Sequence, residues 1–360
     1  MNHNHYCVIM AGGSGHWFWP ASREDKPKEF LHINGTPMLR LTYERFARIV
    51  PKENILIVTL GRYAEAARTI IPEMPEENLL KEPYGRHTTP AMTYATYTIL
   101  RRNPKAVIVT TPSDHVILDE DKYAAAILNA LAHAEKEQVL MTLGIIPKSP
   151  SADFGYIQVK GGRHTATDKP LKVKTFTEKP SEELARVFIR SGEFYWNSGI
   201  YIWSAETIRR ELERLCPEVT SFFTGWERNL GTPDEKAFIE RAYADCPKVS
   251  LDYGILEKTA IAWLYPTEFG WHDIGSWDAY YGYAPKDRHG NVIRAGKALL
   301  NDARGNLLME KEGRKLFAVK GLENYMIIDS GDVLLVCPRD DKTFKDFIAD
   351  IAMPEYEAFR

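Results

Sequence analysis

The run Ala11-Gly12-Gly13-Ser14-Gly15 directly follows a short apolar segment. Glycines at such a place let backbone N–H groups approach phosphate oxygens closely. Arg23, Lys26 and Lys28 come soon after, and Pro20 and Pro27 stiffen the chain between them. A glycine nest beside stiffly presented cations suits a triphosphate. A tight turn followed by a solvated basic loop is the plainer reading. Two familiar phosphate loops are absent: no Gly-Lys-Ser/Thr follows, and His16-Trp17-Phe18 stands where a dinucleotide fingerprint needs its third glycine. Two carboxylates also stand out: Asp114, just after the strand-like run Ala106–Thr111, and Asp273, about 160 residues later beside Gly275. Such a pair could share one Mg²⁺ bridging triphosphate oxygens, because Mg²⁺ keeps several waters and takes few protein ligands. A helix N-cap or turn acid at Asp114 and a loop acid before Gly275-Ser276 are the structural alternatives.

These residues need elements to hold them. Four apolar runs, Tyr6–Met10, Asn54–Leu60, Ala106–Thr111 and Gln138–Ile145, read as buried strands. Continuous apolarity suits a parallel sheet covered on both faces. Helix-like segments alternate with them at Pro37–Val50, Arg62–Ile71, Thr89–Arg102 and Asp121–Lys136. The alternation predicts a doubly wound α/β sheet, whose ligands sit beyond the carboxyl ends of the strands. Tyr156–Val159, Leu171–Glu178 and Trp196–Trp203 read as strands that extend this sheet, with helices at Ser181–Ser191, Ala205–Cys216 and Pro233–Cys246. From about Asn291 only short strand-like runs remain, punctuated by Gly, Asn and Asp, until a helix at about Lys342–Ile351. Gly290-Asn291 and Gly305-Asn306 hint at a repeat in this tail. The expected organisation is a mixed-sheet, Rossmann-like domain over residues 1–285 and a small all-β, β-helix-like domain over 286–360.

Composition sets outer limits. The chain has 360 residues, enough for about two domains and a large core. Its 46 basic and 49 acidic residues argue against general nucleic-acid binding, which needs a basic face. No apolar stretch is long enough for a membrane span. Four scattered cysteines form no CxxC pair, which argues against structural zinc or a disulfide framework and for a reducing, cytoplasmic setting.

The ordered motifs Gly12-Gly13-Ser14-Gly15, Phe18-Trp19-Pro20, Ser22-Arg23 and Pro27-Lys28-Glu29-Phe30 resemble the signature of mannose-1-phosphate guanylyltransferases, also called GDP-mannose pyrophosphorylases. The resemblance continues through Glu82-Pro83-Tyr84-Gly85-Arg86-His87-Thr88, Pro112-Ser113-Asp114-His115, Phe154-Gly155-Tyr156-Ile157, Phe176-Thr177-Glu178-Lys179-Pro180, Trp196-Asn197-Ser198-Gly199 and Trp271-His272-Asp273-Ile274-Gly275. It implies transfer of GMP from GTP to mannose 1-phosphate, giving GDP-mannose and pyrophosphate with Mg²⁺ as cofactor. It assigns Ala11, Gly12, Gly13, Ser14, Gly15, Glu82, Gly85, Arg86, Thr88, Pro112 and Ser113 to the nucleotide. Lys28, Arg23, Asp114 and Asp273 fall to catalysis, the two aspartates as metal ligands. Gly155, Glu178, Lys179, Asn197 and Asp273 fall to the sugar phosphate. A homodimer is the expected assembly.

Two departures stand out. The family usually has Thr-Arg or Ser-Arg where this chain has His16-Trp17, and Asn where it has His87. An indole cannot replace a guanidinium at a phosphate, since it is a neutral single donor. Two alternatives therefore stand beside the main reading: transfer to another sugar 1-phosphate, and a nucleotide-sugar-binding regulatory homologue with impaired catalysis.

Overall fold

The computed structural model describes residues 1–13, 16–32, 35–162, 169–339 and 341–360. The chain forms two compact units, each drawn from separated stretches. The first holds Met1–Gly12, Arg40–Ser113 and Ile117–Trp271; the second holds Gly13–Leu39, Asp114–Val116 and His272–Arg360.

The first unit is built on a nine-stranded sheet. Its strands are β1 (His5–Met10), β2 (Ile55–Leu60), β3 (Leu79–Glu82), β4 (Val107–Pro112), β5 (Leu140–Ile145), β6 (Tyr156–Val159), β7 (Leu171–Thr177), β8 (Phe194–Ser204) and β9 (Ala262–Thr267). Their order is β3-β2-β1-β4-β8-β5-β9-β7-β6, and β6 also pairs with β8. The first four strands are parallel, with Met10 opposite Val58 and Pro112, and Leu60 opposite Glu82. Their carboxyl ends therefore share one rim. The side chains of β1, β2 and β4 are buried almost without interruption, as the continuous apolar runs require. β8 runs antiparallel to both β4 and β5, which makes the sheet mixed. The helix Thr88–Arg102 is buried from Thr89 to Leu100. Its Tyr94 and Tyr97 pack with Leu212 and Phe238, from the helices Ala205–Leu215 and Glu235–Ala244.

The expected strands and helices are present, with ends shifted by a few residues. Two strands carry little signal in the sequence. β3 is four residues long and ends in Lys81-Glu82. β9 contains Pro266, a residue that argues against a strand, yet it pairs parallel with β5 through Thr267.

The second unit has its own core, in which Phe18, Leu31 and Met38 pack with Ile274, Trp277, Val292, Leu307, Met326 and Leu335. Phe18 meets Trp277 edge-on at 4.9 Å, and the Trp277 indole donates to the Trp19 carbonyl at 2.9 Å. In the tail, strands Val292–Arg294, Leu307–Glu310 and Tyr325–Asp329 are parallel, and Leu334–Pro338 closes that sheet antiparallel. Strands Lys297–Asn301 and Leu316–Lys320 form a second parallel pair. The Gly-Asn repeat has a structural meaning here. Asn306 donates through Nδ2 to Asn291 Oδ1 at 3.1 Å, and the Tyr325 N–H donates to Asn306 Oδ1 at 2.9 Å. Buried asparagines thus link successive turns of a short β-helix-like coil. Among the described residues, no helix is long and apolar enough to cross a membrane.

Candidate active site

In the second unit, Pro27 leads into a single 3-10 turn, Lys28–Phe30. Lys28 Nζ forms an ion pair with Asp114 Oδ2, and both side chains are largely buried. Burial works against the ammonium charge, but Asp114 and Asp273 outweigh it and hold the Lys28 pKa above the usual lysine value. Burial likewise opposes the Asp114 charge, and Lys28 and His115 outweigh it and keep the carboxyl low. Asp114, His115 and Asp273 each offer a ligand atom, all within 4.8 Å of one another. Two carboxylates gathered this closely form a hard oxygen donor set suited to a divalent cation.

Glu29, given no role of its own by the sequence, is only 2% exposed. Its Oε1 accepts the Gly13 N–H at 2.7 Å. Burial, then the charge of Asp114, pushes its carboxyl up to about 7. A Cβ on Gly13 would lie 2.8 Å from that Oε1. The glycine is therefore required by the acid that braces it. Ser14 and Gly15 lie outside the described residues.

Arg23 is clasped by its surroundings. Its Nε donates to the Pro20 carbonyl at 2.8 Å and its Nη1 to the Phe359 carbonyl at 2.9 Å. Nη2 donates to Ser330 Oγ at 3.1 Å and to Asp332 Oδ1 at 2.9 Å. Trp17, half-buried, packs against the core of this unit. Lys26 is exposed.

In the first unit, Ala11 and Gly12 leave the end of β1, with the Ala11 N–H donating to the Val58 carbonyl at 2.9 Å. Glu82, at the end of β3, lies beside Gly12, whose added Cβ would stand 3.8 Å from Oε2. Burial pushes the Glu82 carboxyl up to about 7. Gly85 is exposed, and His87 has a left-handed φ of 63°. Arg86 donates to the carbonyls of Tyr243 and Ala244 at 3.0 and 2.5 Å, capping the helix Glu235–Ala244. Thr88 Oγ1 accepts the Leu251 N–H at 2.8 Å. Ser113, after Pro112, donates its N–H to the Met10 carbonyl at 3.2 Å.

The same unit brings together Gly155, Glu178 and Asn197. The Asn197 N–H donates to the Gly155 carbonyl at 2.8 Å. A Cβ on Gly155 would lie 2.5 Å from Glu178 Oε2 and 3.3 Å from Asn197 Cβ. Burial, then the charge of Asp252, raises the Glu178 carboxyl to about 7. Lys179 has a φ of 43° and an exposed side chain, 3.9 Å from Glu178 Oε1. Two neighbours have no signal in the sequence. Tyr201 donates its hydroxyl to Asp252 Oδ1 at 2.7 Å, and Asn197 Nδ2 donates to both, at 2.8 Å to Tyr201 and 3.1 Å to Asp252. The aromatic-rich strand around Tyr201 suggests core packing, and Asp252 lies in a stretch with no motif.

Residues 6–290 match the family described as Nucleotidyl transferase. The xanthan biosynthesis protein XanB of Xanthomonas campestris is 34% identical over 336 residues, which cover 92% of this chain and 70% of that protein. A mannose-1-phosphate guanylyltransferase of Klebsiella pneumoniae is 32% identical over 365 residues, covering 98% and 76%. A solved structure, described as a mannose-1-phosphate geranyltransferase from Thermus thermophilus, superposes with a TM-score of 0.85 at 31% identity, covering 97% of this chain and all of that one. The match over residues 6–290 and the near-full-length identity of these relatives place the glycine loop and its buried lysine in a known setting: the chain belongs to the nucleotidyl transferase family.

Proposed function

We propose that this chain transfers GMP from GTP to mannose 1-phosphate, giving GDP-mannose and pyrophosphate. The observation that carries the reading is the buried Lys28–Asp114 pair with Asp273 beside it, following a braced glycine loop, in a chain 32% identical to a mannose-1-phosphate guanylyltransferase. The sugar-phosphate oxygen attacks the α-phosphorus; that P–O bond forms as the bond to the departing pyrophosphate breaks. This nucleophile is already anionic at neutral pH, so no general base is needed. Catalysis then rests on positioning and on charge stabilisation.

Lys28 offsets the repulsion between the two anions. Asp114 and Asp273 would hold Mg²⁺, whose charge, when bound, neutralises triphosphate oxygens. Gly12, Gly13 and Glu82 serve the nucleotide, and Gly155, Glu178 and Lys179 the sugar phosphate. Arg23, expected at the pyrophosphate, acts in this reading by holding its own loop in place.

The family match supports taking 1–285 as the catalytic part and 286–360 as an appended β-rich part. Exposed Leu334 and Val336 on an edge strand of that part support a homodimer. Free, buried thiols at Cys7, Cys216 and Cys246 fit a reducing cytoplasm.

Pyrophosphate release with GTP, mannose 1-phosphate and Mg²⁺ tests the reaction, and a panel of other nucleotides and sugar phosphates tests its strictness. A second reading rests on Trp17, which packs, half-buried, against the core of its unit and stands where the resembled family usually has an arginine. On that reading the chain binds GDP-mannose without turnover. Tight GDP-mannose binding with no pyrophosphate release, and a large rate gained by Trp17→Arg, would favour it.

A further inference from the structure

Asp252 opens the wide helical turn Asp252–Leu256. The hydrogen bonds around it decide what each neighbour can still offer a ligand. An asparagine amide has two N–H donors and one carbonyl acceptor. Asn197 spends its donors on Tyr201 and Asp252, at 2.8 and 3.1 Å, and its Oδ1 accepts the Gly199 N–H at 3.1 Å. The Tyr201 hydroxyl spends its proton on Asp252 Oδ1 at 2.7 Å. Asn197 is therefore poorly placed to donate to a sugar hydroxyl, the part its residue type suggested.

Acceptor capacity remains on the carboxylates. Asp252 Oδ1 takes both bonds, and among the described residues Oδ2 accepts none. Glu178 sits against the bare Cα of Gly155, and no hydrogen bond to either of its oxygens is formed among the described residues. The charge of Asp252 adds to burial in raising the Glu178 carboxyl, so the two acids sense each other. Two neighbouring acceptors with little to accept suit a ligand rich in hydroxyl donors. A sugar supplies these in adjacent pairs.

We propose that Asp252 is a sugar-recognition residue, accepting a hydroxyl proton of the sugar 1-phosphate alongside Glu178, while Asn197 and Tyr201 hold its carboxylate in position. This rests on the proposed reaction. It makes Asp252 a determinant of which sugar is chosen, because an inverted hydroxyl would leave a carboxylate oxygen unpaired in a partly desolvated place.

Asp252→Asn keeps the shape and replaces one acceptor with a donor. The expected result is a rise of about tenfold or more in KM for mannose 1-phosphate. KM for GTP stays within about twofold of wild type, and the preference over glucose 1-phosphate narrows. Tyr201→Phe, which removes the proton that fixes Asp252, is expected to raise the sugar-phosphate KM by about threefold and leave the GTP KM alone. If Asp252→Asn does not fold, Tyr201→Phe decides. A fall in kcat with both KM values unchanged, or an equal rise in both, overturns the assignment. If the wild type turns over none of the substrates, the proposed reaction fails on its own account. Calorimetry with mannose 1-phosphate alone then tests Asp252: weaker binding in the variant supports it, and equal or absent binding overturns it.

Discussion

Lys28 and Asp114 form a buried ion pair, and the lysine also feels Asp273. Glu29, from the same turn, is a third carboxylate acting on Lys28. A buried pair of this kind is weak evidence for stability, because desolvation offsets much of the attraction. It is better evidence for a charge kept ready for an anionic ligand.

Lys28→Ala is therefore expected to lower kcat by roughly a hundredfold or more, the scale of losing one preorganised charge contact. Circular dichroism should show the fold retained. Steady-state pyrophosphate release is the measurement, and unchanged turnover would remove Lys28 from the mechanism.

Gly13 faces a narrower constraint. Any Cβ there meets Glu29 Oε1 at 2.8 Å, and that oxygen is already bonded to the Gly13 N–H. Gly13→Ala must push the acid or the loop aside. We expect a loss of at least tenfold in kcat/KM for GTP, about 1.4 kcal/mol. Glu29→Gln keeps an acceptor for the same N–H and should cost far less. Equal losses in the two variants would show that the charge of Glu29, not the fit, is what matters.

Most of the sheet can be read from the chain, because its central strands are continuous apolar runs and helix-like segments alternate with them. The tail was readable for a different reason: Gly290-Asn291 and Gly305-Asn306 mark turns whose asparagines stack on each other. The glycine loop, Lys28, Asp114 and Asp273 stand out in the sequence because their types suit phosphate and metal chemistry. Tyr201 and Asp252 do not. A tyrosine on an aromatic-rich strand reads as core, and Asp252 lies in a stretch with no motif. Their pairing spans 51 residues and exists only in three dimensions. Arg23 shows the converse. Its type suggested pyrophosphate, whereas its partners Ser330, Asp332 and Phe359 lie some three hundred residues away and could not be foreseen.

Glu178 predicts a pH dependence. Its carboxyl is raised to about 7 by burial and by Asp252, with Lys179 opposing and Glu257 adding a smaller push. The ionised form is the stronger acceptor for sugar hydroxyls, with both oxygens free of protons. The KM for mannose 1-phosphate should thus fall as pH rises from about 6 to 8, relative to Glu178→Gln, a comparison that cancels the phosphate's own titration. Stability should move the other way. The folded state keeps a proton that the unfolded chain releases near pH 4.3, so this carboxyl costs stability progressively up to about 7 and throughout the range above. Glu178→Gln should melt higher than wild type at pH 8 and alike near pH 4. A sugar-phosphate KM ratio that is flat with pH would contradict the shift.

Arg23 offers the sharpest separation between support and catalysis. Its guanidinium bonds the Pro20 and Phe359 carbonyls, Ser330 and Asp332, which ties the loop around Trp19 and Pro20 to the tail. Trp19 strengthens the same tie by donating its indole N–H to the Phe359 carbonyl at 2.7 Å. Arg23→Ala should lower stability by roughly 1–3 kcal/mol, mostly from lost charge-assisted bonds. Asp332→Ala removes one of these partners without touching the loop and should reproduce a smaller part of the loss. If Arg23 is a brace, the two variants shift the KM for pyrophosphate in the reverse reaction by similar, small factors. If it contacts pyrophosphate, Arg23→Ala raises that KM by at least tenfold while Asp332→Ala leaves it alone. Melting curves and reverse-reaction kinetics on the same preparations distinguish the two, and the bonding partners now favour the brace.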